Sequence, residues 1–498
     1  MSMPSEDRSR RGSPGEDTTS SDQRRRRGLD PEDEALLGEP VSRHDRMMKV
    51  AIAGFLSLLL VTFAVAQSSH DVPMAPDPVF LDVPIPIEPV VIEEMAPAPP
   101  APEPVAPLAF GDNRLYGTVV TRHGDRVKGY IRWDQNEGSW ADLLDASKTV
   151  SRRQYEGVRT DDGDGRAERR WLIRGVRMSR RYQNRSRSVT SGIRFGHIRR
   201  IVVLDRRSAL FELKSGEEME LRSNATDLGS SLRRLIVTGT DGREEQFRWS
   251  DLHAIEFEGA PEGQVLGEER LFGTLTTRSG AEFTGYVAWD VDEIYSTDVL
   301  DGEQDGQDYD IPFGDVAVIE RYSSRAARVV LDDGVELILR GTNDVDRRNR
   351  GVSISDPSLG QVRVDWDDFD QLRFHTTENH RGYESFDGGR RLYGTLTTLS
   401  GSELTGEIRW DDDEEYTWEM LNGEADGVDF NIEFGQIRSI ERRSQRGATV
   451  TLLDGRVFQL SDSNDVDDGN RGIYVSDASG AVTGVDWSDF EEIRFHRP

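Results

Sequence analysis

The sequence predicts an all-β fold built from three tandem copies of one unit, each about 105–145 residues long. One octapeptide recurs as RLYGTVVT from Arg114, RLFGTLTT from Arg270 and RLYGTLTT from Arg391. Within it, apolar residues alternate with the others at a period of two, which is typical of a half-buried strand. Residues 110–498 show no long amphipathic helical pattern. Together these observations indicate a repeat protein made of β-strands.

The three copies are expected to span residues 111–259, 268–376 and 389–498. The second and third copies align at a constant offset of 121 residues, which carries Trp289 onto Trp410. The first copy matches the others at both ends, but it carries about 38 additional residues. We expect this insertion near residues 138–190.

A fainter repeat divides each copy into two half-units of roughly 50–60 residues. Each half-unit ends in the pattern aliphatic-x-aromatic-x-x-apolar-x-x-aliphatic, which begins at Ile193, Phe247, Ile311, Val364, Ile432 and Val485. A glycine precedes each pattern at Gly124, Gly216, Gly280, Gly334, Gly401 and Gly455, where we expect a hairpin turn. Gly129, Gly285 and Gly406 lie inside the second strands, where glycine is costly unless the strand bends sharply.

This order of a Gly-turned hairpin, a bent second strand and a late aliphatic-aromatic edge resembles small SH3-like or Sm-like β-barrels. The resemblance covers most of residues 114–257, 270–374 and 391–495. It implies that each copy consists of two small β half-units. Sm-like proteins often bind RNA, but the acidity and predicted export of this chain oppose that implication.

The composition limits the classes of partner and of site. Asp and Glu total 92 against 62 for Lys and Arg, which gives a formal net charge of −30. Because nucleic-acid affinity comes mostly from Lys and Arg, a nucleic-acid partner is disfavoured. The chain has no Cys, which excludes disulfides, thiolate nucleophiles and Cys-based zinc sites.

The first 110 residues of the chain predict export. Residues 1–46 are polar and without apolar period, and we expect them to be disordered. Residues 47–66 contain the apolar run Val50 to Ala66 and form either a cleaved signal peptide or a single transmembrane anchor. The choice depends on whether translation starts at Met1 or at Met47 or Met48. Both alternatives place the rest of the chain outside the cytoplasm, behind a Pro-rich linker over 67–110.

No linear motif predicts catalysis. The eight His residues form no H-x-x-x-H or H-E-x-x-H pair, and there is no G-x-S-x-G elbow or P-loop. His375 and His496 share one repeat position, where a weak metal or pH site competes with an ordinary solvated strand end. We therefore expect no catalytic residue.

Two recurring acidic loops are candidates for a cation site. Each copy has Trp-Asp-x-x-Glu after its second strand, and two copies share an Asn-Asp-Val-Asp loop. The candidate ligands are Asp290, Asp292, Glu293, Asp344, Asp346, Asp411, Glu414, Asp465 and Asp467. Carboxylate oxygens suit calcium, the one cofactor that the sequence suggests. The alternative is that these Asp residues cap turns, or that Asp344 pairs with Arg350 and Asp465 with Arg471.

The insertion reverses the charge of the chain. It is rich in Arg, free of acidic residues between Arg169 and Arg187, and interleaved with aromatic residues. The candidate contact residues are Arg169, Arg170, Trp171, Arg174, Arg177, Arg180, Arg181 and Tyr182. Such a loop suits an anionic surface, or it balances the charge of the acidic neighbouring copies.

The sequence therefore predicts a non-catalytic scaffold of the bacterial envelope that is exported or membrane-anchored. Its expected partner is a protein or an anionic envelope component. The alternative function is a divalent-cation-binding module that uses the acidic loops. A more remote alternative is an enzyme whose site lies between repeats.

Overall fold

The computed structural model describes residues 113–150, 187–223, 225–261, 267–376 and 382–497. The predicted disordered tail, the apolar segment and the Pro-rich linker lie outside these ranges. The described residues form β-strands and seven short 3-10 helices, with no α-helix among them, so the all-β prediction is confirmed. None of the described helices has the length and apolar character of a membrane span.

Each copy contributes ten strands. The strands of the first copy are β1 (Tyr116–Thr121), β2 (Arg126–Trp133), β3 (Leu143–Val150), β4 (Arg187–Arg194), β5 (Ile198–Val203), β6 (Ser208–Leu213), β7 (Glu218–Arg222), β8 (Leu235–Thr238), β9 (Glu244–Phe247) and β10 (Leu252–Phe257). Those of the second copy are β11 (Phe272–Thr277), β12 (Glu282–Ala288), β13 (Val299–Gln304), β14 (Gln307–Pro312), β15 (Val316–Ser323), β16 (Ala326–Leu331), β17 (Glu336–Arg340), β18 (Val352–Asp356), β19 (Gly360–Val364) and β20 (Phe369–Phe374). Those of the third copy are β21 (Tyr393–Thr398), β22 (Glu403–Arg409), β23 (Met420–Ala425), β24 (Val428–Glu433), β25 (Ile437–Ser444), β26 (Gly447–Leu452), β27 (Val457–Ser461), β28 (Ile473–Ser476), β29 (Val482–Val485) and β30 (Phe490–Phe495). The 3-10 helices are Phe195–His197, Gly229–Ser231, Trp249–Asp251, Phe313–Asp315, Asn343–Val345, Tyr383–Ser385 and Phe434–Gln436.

The strands of all three copies pair in one order. In the first copy this order is β4-β3-β7-β6-β5-β10-β1-β2-β8-β9. The second copy repeats it with every strand number raised by ten, and the third with every number raised by twenty. The pairings are antiparallel throughout. The recurrence seen in the sequence is therefore matched by a recurrence of topology.

The two halves of each copy exchange strands. In the second copy, β11 to β15 form the first half and β16 to β20 the second. The hairpin β11–β12 pairs on one side with β20, with Leu275 opposite Leu372, and on the other with β18, with Val287 opposite Ile354. In return β13 pairs with β17 of the second half, and β15 joins the two sets by pairing with both β16 and β20. Neither half has its full set of partners alone.

Glycines in the second strands permit this exchange. A Cβ atom on Gly285 would lie 2.6 Å from the Ser355 carbonyl oxygen of β18. The equivalent distances are 2.3 Å for Gly129 and 2.1 Å for Gly406. A sharp bend was expected at these positions, whereas the structure places the backbone of the other half directly against the glycine. The six glycines predicted to turn hairpins all have positive φ, between 82° and 95°.

Aromatic residues fill the space between the sheets. The Trp289 ring lies 6.3 Å from Trp366 and 5.4 Å from Phe369. Trp410 and Trp487 repeat the first contact in the third copy, also at 6.3 Å. The second and third copies share one continuous apolar core, and the core of the first copy is completed by Tyr383, Phe386 and Trp418.

Polar contacts and one strand pairing connect the copies. Arg132 of the first copy forms an ion pair of 2.8 Å with Asp298 of the second. Lys148 of the first copy forms an ion pair with Glu419 of the third. Strand β19 of the second copy pairs with β24 of the third, so that their two sheets are continuous. Each copy therefore contacts both of the others.

All three copies meet at Arg194. Its buried guanidinium, with a side chain only 1% exposed, donates to the carbonyl oxygens of Asp356 at 2.9 Å and Pro357 at 3.0 Å in the second copy. The same guanidinium lies 2.9 Å from a carboxylate oxygen of Glu433 in the third copy. The Arg194 charge thereby compensates a buried carboxylate where the copies join.

The β19–β24 pairing depends on one glycine. Gly360 has a φ of +149°, and a Cβ atom there would lie 1.9 Å from the Asn431 carbonyl oxygen of β24. The equivalent residue of the third copy is Ala481, which precedes β29, and no described strand other than β28 pairs with β29. Glycine is therefore needed where the sheets of two copies join.

We expect Gly360→Ala to weaken the pairing of β19 with β24. The methyl group meets a backbone carbonyl and the backbone angle is strained, so the free energy of unfolding should fall by roughly 1–3 kcal/mol. Urea unfolding measures the loss, and hydrogen exchange should locate it at the β19 and β24 amides. Gly401→Ala is the control, because its positive φ carries a similar strain but no atom lies near its Cβ position. Equal losses of stability and unchanged β24 exchange in both variants would contradict the assignment.

Candidate functional site

A tight turn positions the first set of acidic residues. In the second copy, Trp289 follows β12, and its backbone N–H donates to the Glu293 carbonyl oxygen at 2.9 Å. The Glu293 N–H returns a bond of 3.0 Å to the Trp289 carbonyl oxygen. Between them Asp290 has a φ of +46°, a conformation that Asp tolerates better than most residues. Asp134 and Asp411 have the same conformation, at 43° and 45°.

The Trp side chain connects this turn to the second recurring loop. The Trp289 indole N–H donates to the Asp344 carbonyl oxygen at 3.0 Å. The same bond runs from Trp410 to Asp465 at 2.9 Å. In the first copy Trp133 donates to Asp227 at 2.8 Å. Two loops thus meet in each copy, although they are 94 residues apart in the first copy and 55 apart in the second and third.

The meeting of the loops creates a cluster of carboxylates. In the second copy one oxygen each of Asp290, Glu293 and Asp344 lies within 4.8 Å of the others. In the third copy the group comprises Asp411, Asp413 and Glu414, so that Asp413, the counterpart of Asp292, takes the place of a residue from the second loop. Asp290 and Asp411 are fully buried. Burial of so many carboxylates requires compensation by donors or cations.

One arginine per copy supplies part of that compensation. Arg350 lies 3.0 Å from Asp290 and 2.8 Å from Asp292. Arg471 contacts Asp411 and Asp413 in the same manner. This differs from the predicted alternative in which Arg350 pairs with Asp344, because the arginine is directed at the Trp-Asp-x-x-Glu turn instead. The Asp344 carboxylate accepts the backbone N–H of Asp301 at 2.8 Å.

The other predicted ligands have local partners. Asp346 forms a 2.8 Å ion pair with Arg348, two residues away. Asp467 accepts the backbone N–H of Gly469 at 2.7 Å, which closes a turn. Asp465 accepts the N–H of Asn422 at 2.7 Å. Asp346 and Asp467 therefore cap turns, whereas Asp465 borders the cluster.

Burial shifts the pKa of the clustered carboxyl groups upward. Desolvation, with Asp344 and Asp290 nearby, raises the pKa of Glu293 to about 8. Desolvation also raises the pKa of Asp344 to about 6. In the third copy, desolvation and the charges of Asp465 and Asp413 hold the pKa of Glu414 well above its usual range. Near neutral pH, the positive charges within each cluster are thus too few to balance its carboxyl groups if all of these were ionised.

Sequence reasoning missed several members of these sites. Asp227 of the first copy follows Thr226 rather than Asn, so the Asn-Asp pattern did not reveal it. Lys148 reaches the third-copy cluster, where its ammonium donates to Glu419 and to the Asp413 carbonyl oxygen. No sequence signal connects residues that are 265 or more positions apart.

The remaining predicted residues lie outside the clusters. Arg169, Arg170, Trp171, Arg174, Arg177, Arg180, Arg181 and Tyr182 fall outside the described residues. His375 and His496 are exposed and bond to Thr274 at 3.0 Å and Thr395 at 3.2 Å. Both His residues lie at exposed strand ends, which was the alternative to a metal or pH site.

Comparison with known proteins leaves the chain without a family. No protein-family model matches it, and no curated protein does. A streptogramin B lyase structure matches at 8% identity over 60% of this chain and 94% of that chain, with a TM-score of 0.11. Virginiamycin B lyase from Staphylococcus aureus matches at 8% identity over 58% and 85%, with a TM-score of 0.09. At such scores neither match informs the fold or the function.

We expect Asp227→Asn to change how stability depends on pH. Desolvation and the charge of Asp145 raise the pKa of Asp227 to about 7 in the folded chain, above its ordinary value of 3.8. The folded state therefore holds a proton that the unfolded state has lost, and stability falls as pH rises from about 4 to about 7. The isosteric amide carries no such charge, so this part of the fall should disappear, on the order of 1–3 kcal/mol.

Urea unfolding at pH 5 and pH 8 measures the difference. Asp241→Asn is the matched control, since Asp241 is exposed on the turn before β9. Identical pH dependence in the wild type and in Asp227→Asn would show that the group is ionised at little cost.

Proposed function

We propose that this protein is a non-catalytic binding scaffold of the bacterial envelope, composed of six SH3-like or Sm-like β half-units. It acts outside the cytoplasm and docks onto an anionic partner through the Arg-rich insertion of its first copy. The predicted signal peptide or membrane anchor and the Pro-rich linker would present it there. The topology, the position of the insertion and its charge support the proposal.

The strand order supports the proposed type of half-unit. The set β20-β11-β12-β18-β19 places a first strand between a fifth and a second strand, followed by a third and a fourth. The set β15-β16-β17-β13-β14 repeats this order. Such an order suits a small five-stranded barrel, here completed by strands from both halves. The proposal therefore takes each copy as two SH3-like or Sm-like units with exchanged strands.

The position of the insertion is the observation that carries the proposed docking role. In the second copy the hairpin β13–β14 turns through Asp305 and Gly306, and in the third β23–β24 turns through Asp426 and Gly427. In the first copy the same hairpin, β3–β4, is continuous from Leu143 opposite Arg194 to Val150 opposite Arg187. In the sequence, 36 residues (151–186) separate β3 from β4, where the other two copies have two residues between the equivalent strands.

The proposal takes residues 151–186 as the part of the insertion that docks. Part of the expected range 138–190 belongs to β3 and β4, which have counterparts in the other copies. The residues without counterparts stand between β3 and β4, where the other two copies have a turn of two residues. A long, nonrepeated segment on a repeated scaffold is a common carrier of function. Its Arg-rich half is attracted to anionic surfaces in a chain that is otherwise acidic.

Charge balance within the molecule is the competing explanation. The β3–β4 hairpin lies near the third copy, where Lys148 already contacts Glu419. An Arg-rich tip that folded onto this acidic neighbour would stabilise the scaffold without binding a partner. Removal of the insertion distinguishes docking from charge balance, because only charge balance predicts that the protein loses stability.

We expect a full-length variant with Asp-Gly in place of residues 151–186 to fold with unchanged stability and to lose its partner. A cross-linking pull-down from envelope extract compares it with the wild type. Changing Arg169, Arg170, Arg180 and Arg181 to Ser should abolish the same capture, and wild-type capture should weaken as salt is raised.

The matched control changes four exposed arginines elsewhere, Arg206, Arg243, Arg446 and Arg494, to Ser. Its capture should equal that of the wild type. Capture that survives replacement of the insertion would contradict the docking role. A large loss of stability without it would favour charge balance instead.

A further inference from the structure

The third copy has the more enclosed of the two carboxylate groups that could hold a metal ion among the described residues. One carboxylate oxygen each of Asp411, Asp413 and Glu414 lies within 4.8 Å of the others. The three residues are 0%, 6% and 7% exposed. Oxygen atoms this close and this well shielded from water repel one another unless a positive charge lies between them.

One oxygen of Glu414 has no hydrogen-bond partner. Its Oε2 atom is buried, and none of the described residues donates to it. Backbone bonds of 2.8 Å and 3.0 Å to Trp410 hold the Glu414 main chain in the turn. A buried carboxylate oxygen without a donor is costly, and such an atom in a native fold calls for a bound partner.

The same oxygen is without a partner in all three copies. Oε2 of Glu137 and Oε2 of Glu293 are also buried with no donor among the described residues. Glu137 is 5% exposed, comparable to Glu414. An arrangement kept by the fold at three equivalent positions is not an accident of one side-chain conformation.

The cations already present are directed at other atoms. The Arg471 guanidinium contacts Asp411 and Asp413. The Lys148 ammonium donates to Glu419 and to the Asp413 carbonyl oxygen. Neither donates to Glu414 Oε2, although Lys148 adds positive charge close to it. The cluster therefore retains a buried acceptor to which none of the described residues donates.

A polar cleft leads to the cluster. It is bordered by Thr190 and Ser191 of β4 in the first copy and by Asn422 and Asn431 of the third copy, and Glu414 lies in its lining. Glu414 thus borders a cleft between the first and third copies.

We propose that Asp411, Asp413 and Glu414 bind a hard divalent cation, with Glu414 Oε2 as the ligand atom that no protein group satisfies. Calcium is the first candidate, because it accepts carboxylate oxygens in irregular arrangements and tolerates partial hydration. Lys148 lies next to this site, and its charge opposes the ion. The site is independent of the docking role of the Arg-rich insertion.

The test titrates chelator-treated, full-length protein with CaCl2 by calorimetry and follows the melting temperature. The wild type should bind calcium and melt at least about 2 °C higher when it is saturated. Glu414→Gln, which removes the charge and keeps the size, should bind one calcium fewer per chain. Asp412→Asn should behave as the wild type, because Asp412 forms a 2.9 Å ion pair with Arg409.

A second variant keeps the proposal testable if Glu414→Gln does not fold. Lys148→Met removes the opposing ammonium and should tighten calcium binding about tenfold or more. A parallel titration with MgCl2 identifies the preferred ion, and Glu414-dependent binding of either ion supports the site. Three results would overturn it: neither ion binds, binding to Glu414→Gln has wild-type stoichiometry, or only acidification raises the melting temperature.

Discussion

The exchange of strands between the two halves of each copy is the constraint on which the rest of the structure depends. The first hairpin of one half is completed by the third and fifth strands of the other, as where Leu275 faces Leu372. Ile319 and Leu372 then connect the two sets through β15 and β20. Both strands that flank the β11–β12 hairpin come from the other half of the copy. A half-unit on its own therefore lacks partners for the hydrogen bonds at both edges of this hairpin and for its apolar face.

The exchange also creates the acidic clusters. The Trp289 turn belongs to the first half of the second copy and the Asp344 loop to the second half, and the β12–β18 and β13–β17 pairings bring them together. The Trp289 indole then fixes the Asp344 backbone. In the third copy the same exchange brings the Asp465 loop against the turn that carries Asp411, Asp413 and Glu414. Lys148 of the first copy modifies the site that we propose there.

Local features of this structure could be predicted from the sequence, whereas its long-range pairings could not. The positive φ of Gly280 follows from the turn that a hairpin needs, and the buried Trp289 follows from its repeat position. Exchanged and unexchanged halves have the same sequence pattern, because apolar and polar residues alternate along each strand whichever half supplies its neighbours. The contact between Lys148 and Glu419 depends on how whole copies pack, which no spacing encodes. Both acidic loops were found, but their meeting in one cluster required the register of β12 with β18.

Engineered disulfides test the strand exchange most directly, because the chain has no Cys of its own. Thr274 of β11 faces Arg373 of β20, and Val318 of β15 faces Arg373 from the other side. By the repeat that aligns Ile319 with Leu372, Glu320 of β15 is the counterpart of Arg373, and in this fold Glu320 faces Gln371 instead of Thr274. Thr274 and Glu320 are therefore two strands apart, at more than about 9–10 Å, too far for a disulfide. The exchanged fold predicts that Thr274→Cys with Arg373→Cys cross-links on oxidation and that Thr274→Cys with Glu320→Cys does not. Separate half-units, in which β11 pairs with β15, would give the reverse result and contradict the account.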